Sequence, residues 1–116
     1  MGKLTTHILD TAHGCPGKGI ALRLYKCGKK DVLLAKLKTN ADGRCDAPLL
    51  SGKEMKAGTY RLEFDVAAYF KTKGVKLPKT PFLDVVILQF GIADAGAHYH
   101  VPLLVSPYGY STYRGS

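Results

Sequence analysis

The sequence has few cysteines and no long apolar run, and each shortage excludes a class of protein. Its cysteines, Cys15, Cys27 and Cys45, are odd in number and form no Cys-x-x-Cys pair, which argues against a disulfide framework and against a cysteine-based zinc site. A reducing cytosol fits this cysteine usage best. No apolar run approaches the roughly 18 residues that a membrane span needs, and the N-terminus lacks the basic and then apolar pattern of an export signal. We therefore expect a cytoplasmic protein that does not bind membranes.

Acidic residues are also scarce, with nine against 17 lysines and arginines, which gives a net charge of +8 in 116 residues. The lysines are spread along the chain and form neither a dense basic stripe nor an aromatic stacking platform, so nucleic-acid binding is not expected. A basic surface of this kind attracts anions and is compatible with a small anionic substrate. With 46% apolar residues, the chain is long enough for one domain with its own core, spanning residues 1–116.

Alternating apolar and polar residues predict a series of short strands separated by glycine-containing turns. The predicted strands cover residues 4–10, 20–26, 32–38, 59–66 and 82–92, and two more lie in the C-terminal stretch. We expect the strand at 82–92, which is long and mostly apolar, to be buried on both faces for part of its length. Residues 67–73 predict the only helix, with Gly74 as its stop. Seven or eight strands with one short helix indicate an all-β, antiparallel β-sandwich.

The C-terminal stretch combines histidines, tyrosines and one arginine. Residues 98–101 alternate, so His98 and His100 are expected to face one side of a strand while Tyr99 and Val101 face the other. The chain then carries three tyrosines and finishes on Tyr113-Arg114-Gly115-Ser116. Chain termini are usually frayed unless something holds them. An ending this aromatic, with one arginine, suggests a tail that is buried and used.

The side chains that could carry chemistry are few. Histidine titrates near neutral pH and can take or give a proton in hydrolysis, and arginine offers a planar set of donors to anions and carbonyls. No Gly-x-Ser-x-Gly elbow is present, so a serine hydrolase is not expected. His98 and His100 have a spacing that metal sites sometimes use, but no cysteine or carboxylate is placed to join them, and we expect no metal. Cys45 is either an activated thiol, because it follows Arg44, or a small packed residue.

Three segments of the sequence resemble the 5-hydroxyisourate hydrolases, the transthyretin-related enzymes of urate breakdown. The ending Tyr113-Arg114-Gly115-Ser116 matches the ending of that family, residues 4–10 look like its opening strand, and residues 39–44 look like its arginine-bearing turn. The three motifs occur in the right order and span essentially the whole chain. The resemblance implies a transthyretin-like (prealbumin-like) sandwich that assembles as a homotetramer, a dimer of dimers with active sites where two dimers meet.

The resemblance also assigns roles to residues that are ordinary by themselves. A lone histidine in a strand is usually structural, and an arginine after a turn is usually solvated. The family's second histidine directly precedes a Val-Pro-Leu-Leu run, which identifies it here as His100, so that His98 is left with a supporting role and His13 matches nothing. The implied catalytic residues are His7, Arg44, His100 and Ser116, and the implied substrate-binding residues add Tyr113, Arg114 and Gly115.

The implied reaction is hydrolytic opening of the lactam ring of 5-hydroxyisourate, which gives 2-oxo-4-hydroxy-4-carboxy-5-ureidoimidazoline without metal, cofactor or covalent intermediate. One histidine, either His7 or His100, would activate a water molecule for attack on the lactam carbonyl. Arg44 would stabilise the charge that develops there, as preorganised donors do in other acyl hydrolyses. Ser116 would position substrate or water through its hydroxyl and carboxylate, so we expect a C-terminal extension to impair activity.

Three other interpretations stay open at this point. Transthyretin shares the implied fold and carries small ligands, but a carrier does not require histidines at positions 7 and 100. A prealbumin-like accessory or adhesion domain could contain a similar turn, but it would not have this ending. A hydrolase acting on another cyclic amide is the most serious alternative, because function belongs to the site and not to the fold.

Overall fold

A computed structural model describes residues 1–115, and it shows two β-sheets packed face to face. Within this range the chain forms nine strands, one α-helix and a short 3-10 helix (Gly52–Glu54). The strands are β1 (Lys3–Asp10), β2 (Cys15–Pro16), β3 (Ala21–Lys26), β4 (Val32–Lys38), β5 (Leu50–Ser51), β6 (Gly58–Asp65), β7 (Val85–Ile92), β8 (His98–Ser106) and β9 (Gly109–Thr112), and the helix is α1 (Val66–Thr72). Seven of these strands have four or more residues, which agrees with the predicted sandwich.

One sheet, here called sheet A, has the order β2-β1-β8-β9, with β5 also paired to β1. The other, sheet B, has the order β4-β3-β6-β7. All neighbouring strands run antiparallel except β1 and β8, which are parallel over their shared length. The sequence predicted only antiparallel pairing. The exception arises because the four strands of sheet B lie between β1 and β8 in the sequence. No hairpin therefore joins β1 to β8, and they are not forced to run in opposite directions.

The core lies between the sheets and follows from the twofold alternation of the strands. Leu4 and Ile8 from β1, Leu22 and Leu24 from β3, and Phe64 from β6 are each at most 1% exposed. Burying a side chain of this size contributes roughly 1.5–3 kcal/mol. The alternate residues of the same strands face outward, and most of the charged side chains of these strands lie on the outer faces, with the buried Asp10 as an exception.

The helix and the C-terminal strands confirm the predicted pattern. Helix α1 covers Val66–Thr72 where residues 67–73 were expected, and it is followed by Gly74, whose φ of 82° suits glycine. In β8, Tyr99 and Val101 are buried while His98 and His100 point to the other side. None of the helices formed by residues 1–115 has both the length and the apolar character that crossing a membrane requires.

Strand β7 differs from its prediction in both length and burial. It begins at Val85 and not at residue 82, and its residues alternate between buried and exposed, with Ile87 52% exposed. The expectation of burial on both faces is therefore wrong. The reason is that β7 is an edge strand of sheet B, and apolar composition alone does not distinguish a central strand from an edge strand whose outer face is also apolar.

Candidate active site

Strands β1 and β8 bring two histidines together on the outer face of sheet A. The parallel register places Thr5 opposite His100 and His7 opposite Pro102. Because the intervening residues of both strands point into the core, these histidine side chains face away from it. The ring centroids of His7 and His100 lie 6.5 Å apart, with 39° between the ring planes. Two imidazoles thus border the same small region of the surface.

Arg44 reaches this region from the turn that precedes it. The Asn40 side-chain oxygen accepts hydrogen bonds from the backbone N–H groups of Asp42 at 2.9 Å and Arg44 at 3.2 Å. The Arg44 carbonyl in turn accepts from the Asn40 N–H at 2.7 Å. This arrangement closes the turn on itself, as asparagine side chains often do, and fixes the point at which the arginine leaves the backbone.

Gly43 lets that turn dock directly against β1. Its φ is 76°, and a Cβ atom at this position would lie 2.3 Å from the carbonyl oxygen of Ile8. The Gly43 carbonyl accepts a hydrogen bond from the Ile8 N–H at 2.8 Å, and His7 and Arg44 form an isolated antiparallel β-bridge. A side chain at residue 43 would push the turn outward, and Arg44 would move away from His7.

The two histidines have different hydrogen-bond partners. His7 Nε2 lies 2.9 Å from the backbone carbonyl of Asp42. A carbonyl only accepts, so this nitrogen carries a proton, and Nδ1 is the acceptor when the ring is neutral. His100 Nδ1 instead lies 2.9 Å from the Thr5 hydroxyl, which can both donate and accept. The rings are therefore held in different ways, one by a fixed acceptor and one by a group that can change roles.

The surroundings of His100 favour its neutral form. Burial lowers the pKa of the imidazole below its ordinary value of 6.5, and the charge of Arg44, with that of His7 whenever it is protonated, lowers it further. The side chain borders an open cleft of about 500 Å³ lined by Lys3, Thr5, Arg44, His98 and His100, with no carboxylate among the lining residues. At neutral pH this cleft combines fixed positive charge with a neutral imidazole that can accept a proton.

Gly115 touches the same imidazole from the C-terminal side. Its N–H donates to the His100 carbonyl at 2.7 Å, and the two residues form an isolated β-bridge. A Cβ atom on Gly115 would lie 2.7 Å from His100 Cδ2. Only glycine therefore allows the tail to lie this close to the ring. Ser116, predicted as a catalytic residue, lies outside the described residues.

Tyr113 and Arg114 lie beside the cleft and not in it. Tyr113 is 61% exposed, and Arg114 is also exposed. The Arg114 guanidinium lies 4.0 Å from the centroid of the buried Tyr99 ring and donates to the His98 carbonyl at 3.1 Å. The expectation of a buried tail is therefore wrong for these two side chains within a single chain. Both line a second cavity, of about 430 Å³, along the open edge formed by β7 and β9.

Sequence reasoning missed two residues of the cleft, Lys3 and Thr5, and undervalued His98. All three point outward from β1 or β8 on the same side as His100, and Lys3 pairs with His98 in the strand register. Alternation along residues 4–10 would have placed residues 5 and 7 on one face. The parallel register with β8, which makes them neighbours of residues 98 and 100, has no local sequence signature.

Neither His13 nor Cys45 is among the residues that line the cleft. His13 Nδ1 is 2.6 Å from the buried Asp10 carboxylate, which also accepts a hydrogen bond from the Tyr69 hydroxyl at 2.7 Å, on the core side of β1. Burial raises the pKa of the Cys45 thiol, and the charge of Asp46 raises it further. The hypothesis of an activated Cys45 thiol is therefore wrong. Among residues 1–115, no three histidine, cysteine or acidic side chains are grouped as a metal site would need.

Comparison with known proteins gives a consistent family. A 5-hydroxyisourate hydrolase of Ralstonia nicotianae is 59% identical over the full length of both chains. One of Pseudomonas aeruginosa is 57% identical, covering all of this chain and 93% of the relative. The solved structure of Klebsiella pneumoniae 5-hydroxyisourate hydrolase superposes with a TM-score of 0.81 at 37% identity, with both chains covered completely.

A sequence profile described as the HIUase/Transthyretin family matches residues 4–115. The match includes β1, the arginine-bearing turn, β8 and the tail as far as Gly115, which are the segments that build the cleft. Together with the fold and the full-length relatives, it shows that the chain belongs to the HIUase/Transthyretin family.

Proposed function

We propose that the chain is a hydrolase that opens the lactam ring of 5-hydroxyisourate in urate breakdown. The observation that supports this most strongly is the convergence of His7, Arg44 and His100 on the outer face of sheet A. Full-length relatives with 57–59% identity bear the name of that hydrolase. A fold of this kind also serves ligand carriers, so the cleft and not the sandwich distinguishes the activity.

In the proposed mechanism His100 is the general base. Its lowered pKa keeps the imidazole neutral at pH 7, and Nε2 is the nitrogen that is not engaged by Thr5. Nε2 takes a proton from water while the water oxygen forms a bond to the lactam carbonyl carbon. The C–N bond then breaks, and the proton passes from His100 to the departing nitrogen. The product carries a new carboxylate.

Arg44 and His7 act on the carbonyl group in this scheme. Negative charge develops on the carbonyl oxygen when water adds, and a guanidinium held by the 40–44 turn is a preorganised donor for that charge. His7 is fixed by its Nε2–H bond to the Asp42 carbonyl, so its Nδ1 faces the substrate as an acceptor and orients a ring N–H or hydroxyl. Gly115 packs against the imidazole of His100, and in this proposal Ser116 positions the substrate or the water.

The charge of the cleft fits this substrate class. Lys3 and Arg44 provide positive charge, and none of the lining residues is acidic. The proposed substrate is a carbonyl-rich ring and the proposed product carries a carboxylate, and a concave site of one charge sign raises the local concentration of an oppositely charged ligand. Positive charge in the cleft does not help an anion to leave, so we assign to this charge a role in substrate binding and none in product release.

We also propose a homotetramer in the cytoplasm. The edge formed by β7 and β9 exposes Ile87, Tyr110 and Tyr113, an apolar surface that is costly to leave in water. The histidine cleft is open on the outer face of sheet A, and a second subunit packed there would exclude water from it. The three cysteines are free thiols, which is compatible with a reducing compartment. Light scattering of the purified protein gives the subunit number directly.

The experiment that tests the activity follows the ultraviolet absorbance of freshly generated 5-hydroxyisourate with and without the protein. Spontaneous decay in buffer is the baseline, and carbon-13 NMR identifies the product of each sample. We expect faster decay with the protein and the ring-opened carboxylate as product. Decay at the buffer rate with a folded protein would contradict the proposal and would favour a ligand carrier or a hydrolase of another cyclic amide.

A further inference from the structure

Two consecutive threonines connect β1 to β8 on opposite faces of sheet A. Thr6 faces the core and donates its hydroxyl hydrogen to the Val101 carbonyl at 2.7 Å. Thr5 faces the cleft, and its hydroxyl lies 2.9 Å from His100 Nδ1. Among residues 1–115 this is the only hydrogen bond of the Thr5 side chain. Thr6 therefore has a purely structural partner, whereas Thr5 is bonded to the imidazole that the mechanism uses.

We propose that Thr5 is a positioning residue that holds His100 with Nδ1 protonated and Nε2 directed at the water to be activated. The inference deepens the proposed hydrolysis and rests on it. Thr5 does not touch the reacting atoms, and its effect passes through the imidazole.

The parallel register makes the pairing specific. Thr5 and His100 are direct partners across the strand pair, so their Cβ atoms leave the sheet side by side on one face. The Gly115 tail packs on the other side of the ring, where a Cβ would come within 2.7 Å of Cδ2. The imidazole thus lies between a hydroxyl and a glycine backbone, and Nε2 is the ring nitrogen that Thr5 does not contact.

A hydroxyl is suited to this position because it carries no charge. When Nδ1–H donates to the Thr5 oxygen, Nε2 has a lone pair and can accept a proton from water. After the transfer Nδ1–H still donates to the same oxygen, so the ring does not need to turn during the reaction. A carboxylate in place of Thr5 would stabilise the imidazolium and raise the pKa of the histidine.

The chain itself contains the carboxylate alternative. His13 Nδ1 faces Asp10 at 2.6 Å on the core side of the same strand, whereas His100 Nδ1 faces Thr5 on the cleft side. The imidazole of His13 is paired with a negative group and that of His100 with a neutral group. The two partners, Asp10 and Thr5, are five positions apart along β1. This contrast indicates what a substitution of Thr5 by aspartate should do to His100.

The first test needs no substrate. Nitrogen-15 NMR of histidine-labelled protein reports which imidazole nitrogen is protonated and the pH midpoint of each ring. We expect Nδ1–H as the main neutral tautomer of His100, loss of that preference in Thr5→Val, and a midpoint about one pH unit higher in Thr5→Asp. Nε2–H as the main tautomer in the native protein, or an unchanged midpoint in Thr5→Asp, would overturn the proposal.

The second test measures kcat and KM for 5-hydroxyisourate across pH. Thr5→Val should lower kcat about three- to tenfold, the effect of losing one neutral hydrogen bond, with little change in KM. Thr5→Ser should recover most of the loss, and Thr5→Asp should move the acid limb of the profile to higher pH.

Thr6→Val is the matched control, because it removes the other threonine hydroxyl bond between the same two strands. It should lower thermal stability without moving the acid limb or the His100 tautomer. An equal loss of kcat in Thr6→Val would mean that both threonines act only by holding the strands together, and the proposal would be wrong. Failure of the native protein to accelerate the reaction would contradict the proposed hydrolysis, while the NMR experiment would still decide whether Thr5 sets the tautomer.

Discussion

The outer faces of the two sheets carry similar basic side chains in opposite arrangements. On sheet B, Arg23 bonds to Glu63 at 3.1 Å and to Asp65 at 2.9 Å, while Arg61 bonds to Glu63 at 2.9 Å and also to Asp31. On sheet A, the cleft residues Lys3, Arg44, His98 and His100 have no carboxylate partner among residues 1–115. The chain therefore pairs the two arginines of one face with carboxylates, whereas the cleft residues of the other face have no such partner among residues 1–115.

This difference distinguishes arginines that stabilise the fold through ion pairs from basic residues that are available to bind a ligand. The hydrogen bonds that Arg23 donates to Asp65 and Arg61 donates to Asp31 raise the pKa of each arginine, although partial desolvation opposes the effect. Both arginines are satisfied without a ligand. Burial lowers the pKa of His100 and the charge of Arg44 lowers it further, so holding these groups together with no carboxylate partner among residues 1–115 carries an electrostatic cost. An anionic ligand would relieve it.

The largest difference between the two faces is expected when one arginine is removed from each. Arg44→Ala should lower kcat/KM by about 10²–10³-fold, because a preorganised donor to the carbonyl oxygen is lost. Arg61→Ala should leave kcat/KM unchanged and lower the melting temperature slightly. Steady-state kinetics and thermal unfolding of the two variants provide the check, and a similar kinetic loss in Arg61→Ala would mean that the two faces do not differ in function.

The core side of β1 provides the second contrast, in stability. The buried Asp10 carboxylate accepts hydrogen bonds from Tyr69, from the His13 ring and from two backbone N–H groups. Asp10→Asn replaces one acceptor oxygen by an amide NH₂ group, which faces donors that then have no acceptor. We therefore expect the free energy of unfolding to fall by about 2 kcal/mol. Urea unfolding at pH 7 measures this loss, and an unchanged midpoint would contradict it. Activity of the folded variant should be retained.

The pH dependence of that stability has a definite sign. Burial alone would raise the pKa of Asp10, but the hydrogen bonds from Tyr69 and His13 outweigh it and hold the pKa below 3.8. The carboxylate form is thus favoured by folding, so its contribution is present above the unfolded-state pKa of 3.8 and is lost as the pH falls below 3.8 through the lower pKa of the folded state. Native protein should lose this part of its stability in acid, and Asp10→Asn should not.

Gly115 permits a smaller test, specific to the geometry of His100. Gly115→Ala brings a methyl group against the imidazole, and we expect kcat to fall about tenfold because the ring is displaced from its working position. Gly28→Ala is the matched control, since a Cβ atom there meets nothing closer than 3.7 Å. Equal activity of the two variants would show that the tail does not set the position of the ring.

The smallest expected effect concerns the acid limb of the pH profile of kcat/KM. A general base must be neutral, so activity should fall as His100 becomes protonated. Because burial, Arg44 and His7 lower the pKa of His100, the midpoint should lie below 6.5. A midpoint at or above that value would indicate that another group, or a bound anion in the cleft, governs the ionisation.

Much of the fold was predictable because alternation is a local property. The strand at 59–66 was placed within one residue of its observed bounds, the two faces of residues 98–101 were read correctly, and the helix was placed within one residue of its observed position. The edge position of β7 and the parallel pairing of β1 with β8 were not predictable, since both depend on which distant strand is the neighbour. Composition gives no information on that choice.

The candidate site was predictable only through family resemblance. His7, Arg44 and His100 are widely separated in sequence, and nothing local distinguishes them from solvated residues. Thr5 was missed because its importance comes from lying opposite His100 in the register. Of the two interpretations of Cys45, the packed residue fits the structure, because burial and Asp46, and not the sequence neighbour Arg44, dominate the environment of the thiol and raise its pKa. The catalytic roles of the three residues remain predictions.

The most direct test of the account compares two histidine variants in the ultraviolet decay of 5-hydroxyisourate at pH 7. His100→Ala removes the imidazole of the cleft, and His13→Gln removes the imidazole that pairs with a carboxylate away from it. The account predicts that His100→Ala loses about 10²–10⁴-fold in rate above the spontaneous decay, whereas His13→Gln retains the native rate. Native activity in His100→Ala, or an equal loss in both variants, would contradict the assignment of catalysis to the outer face of sheet A.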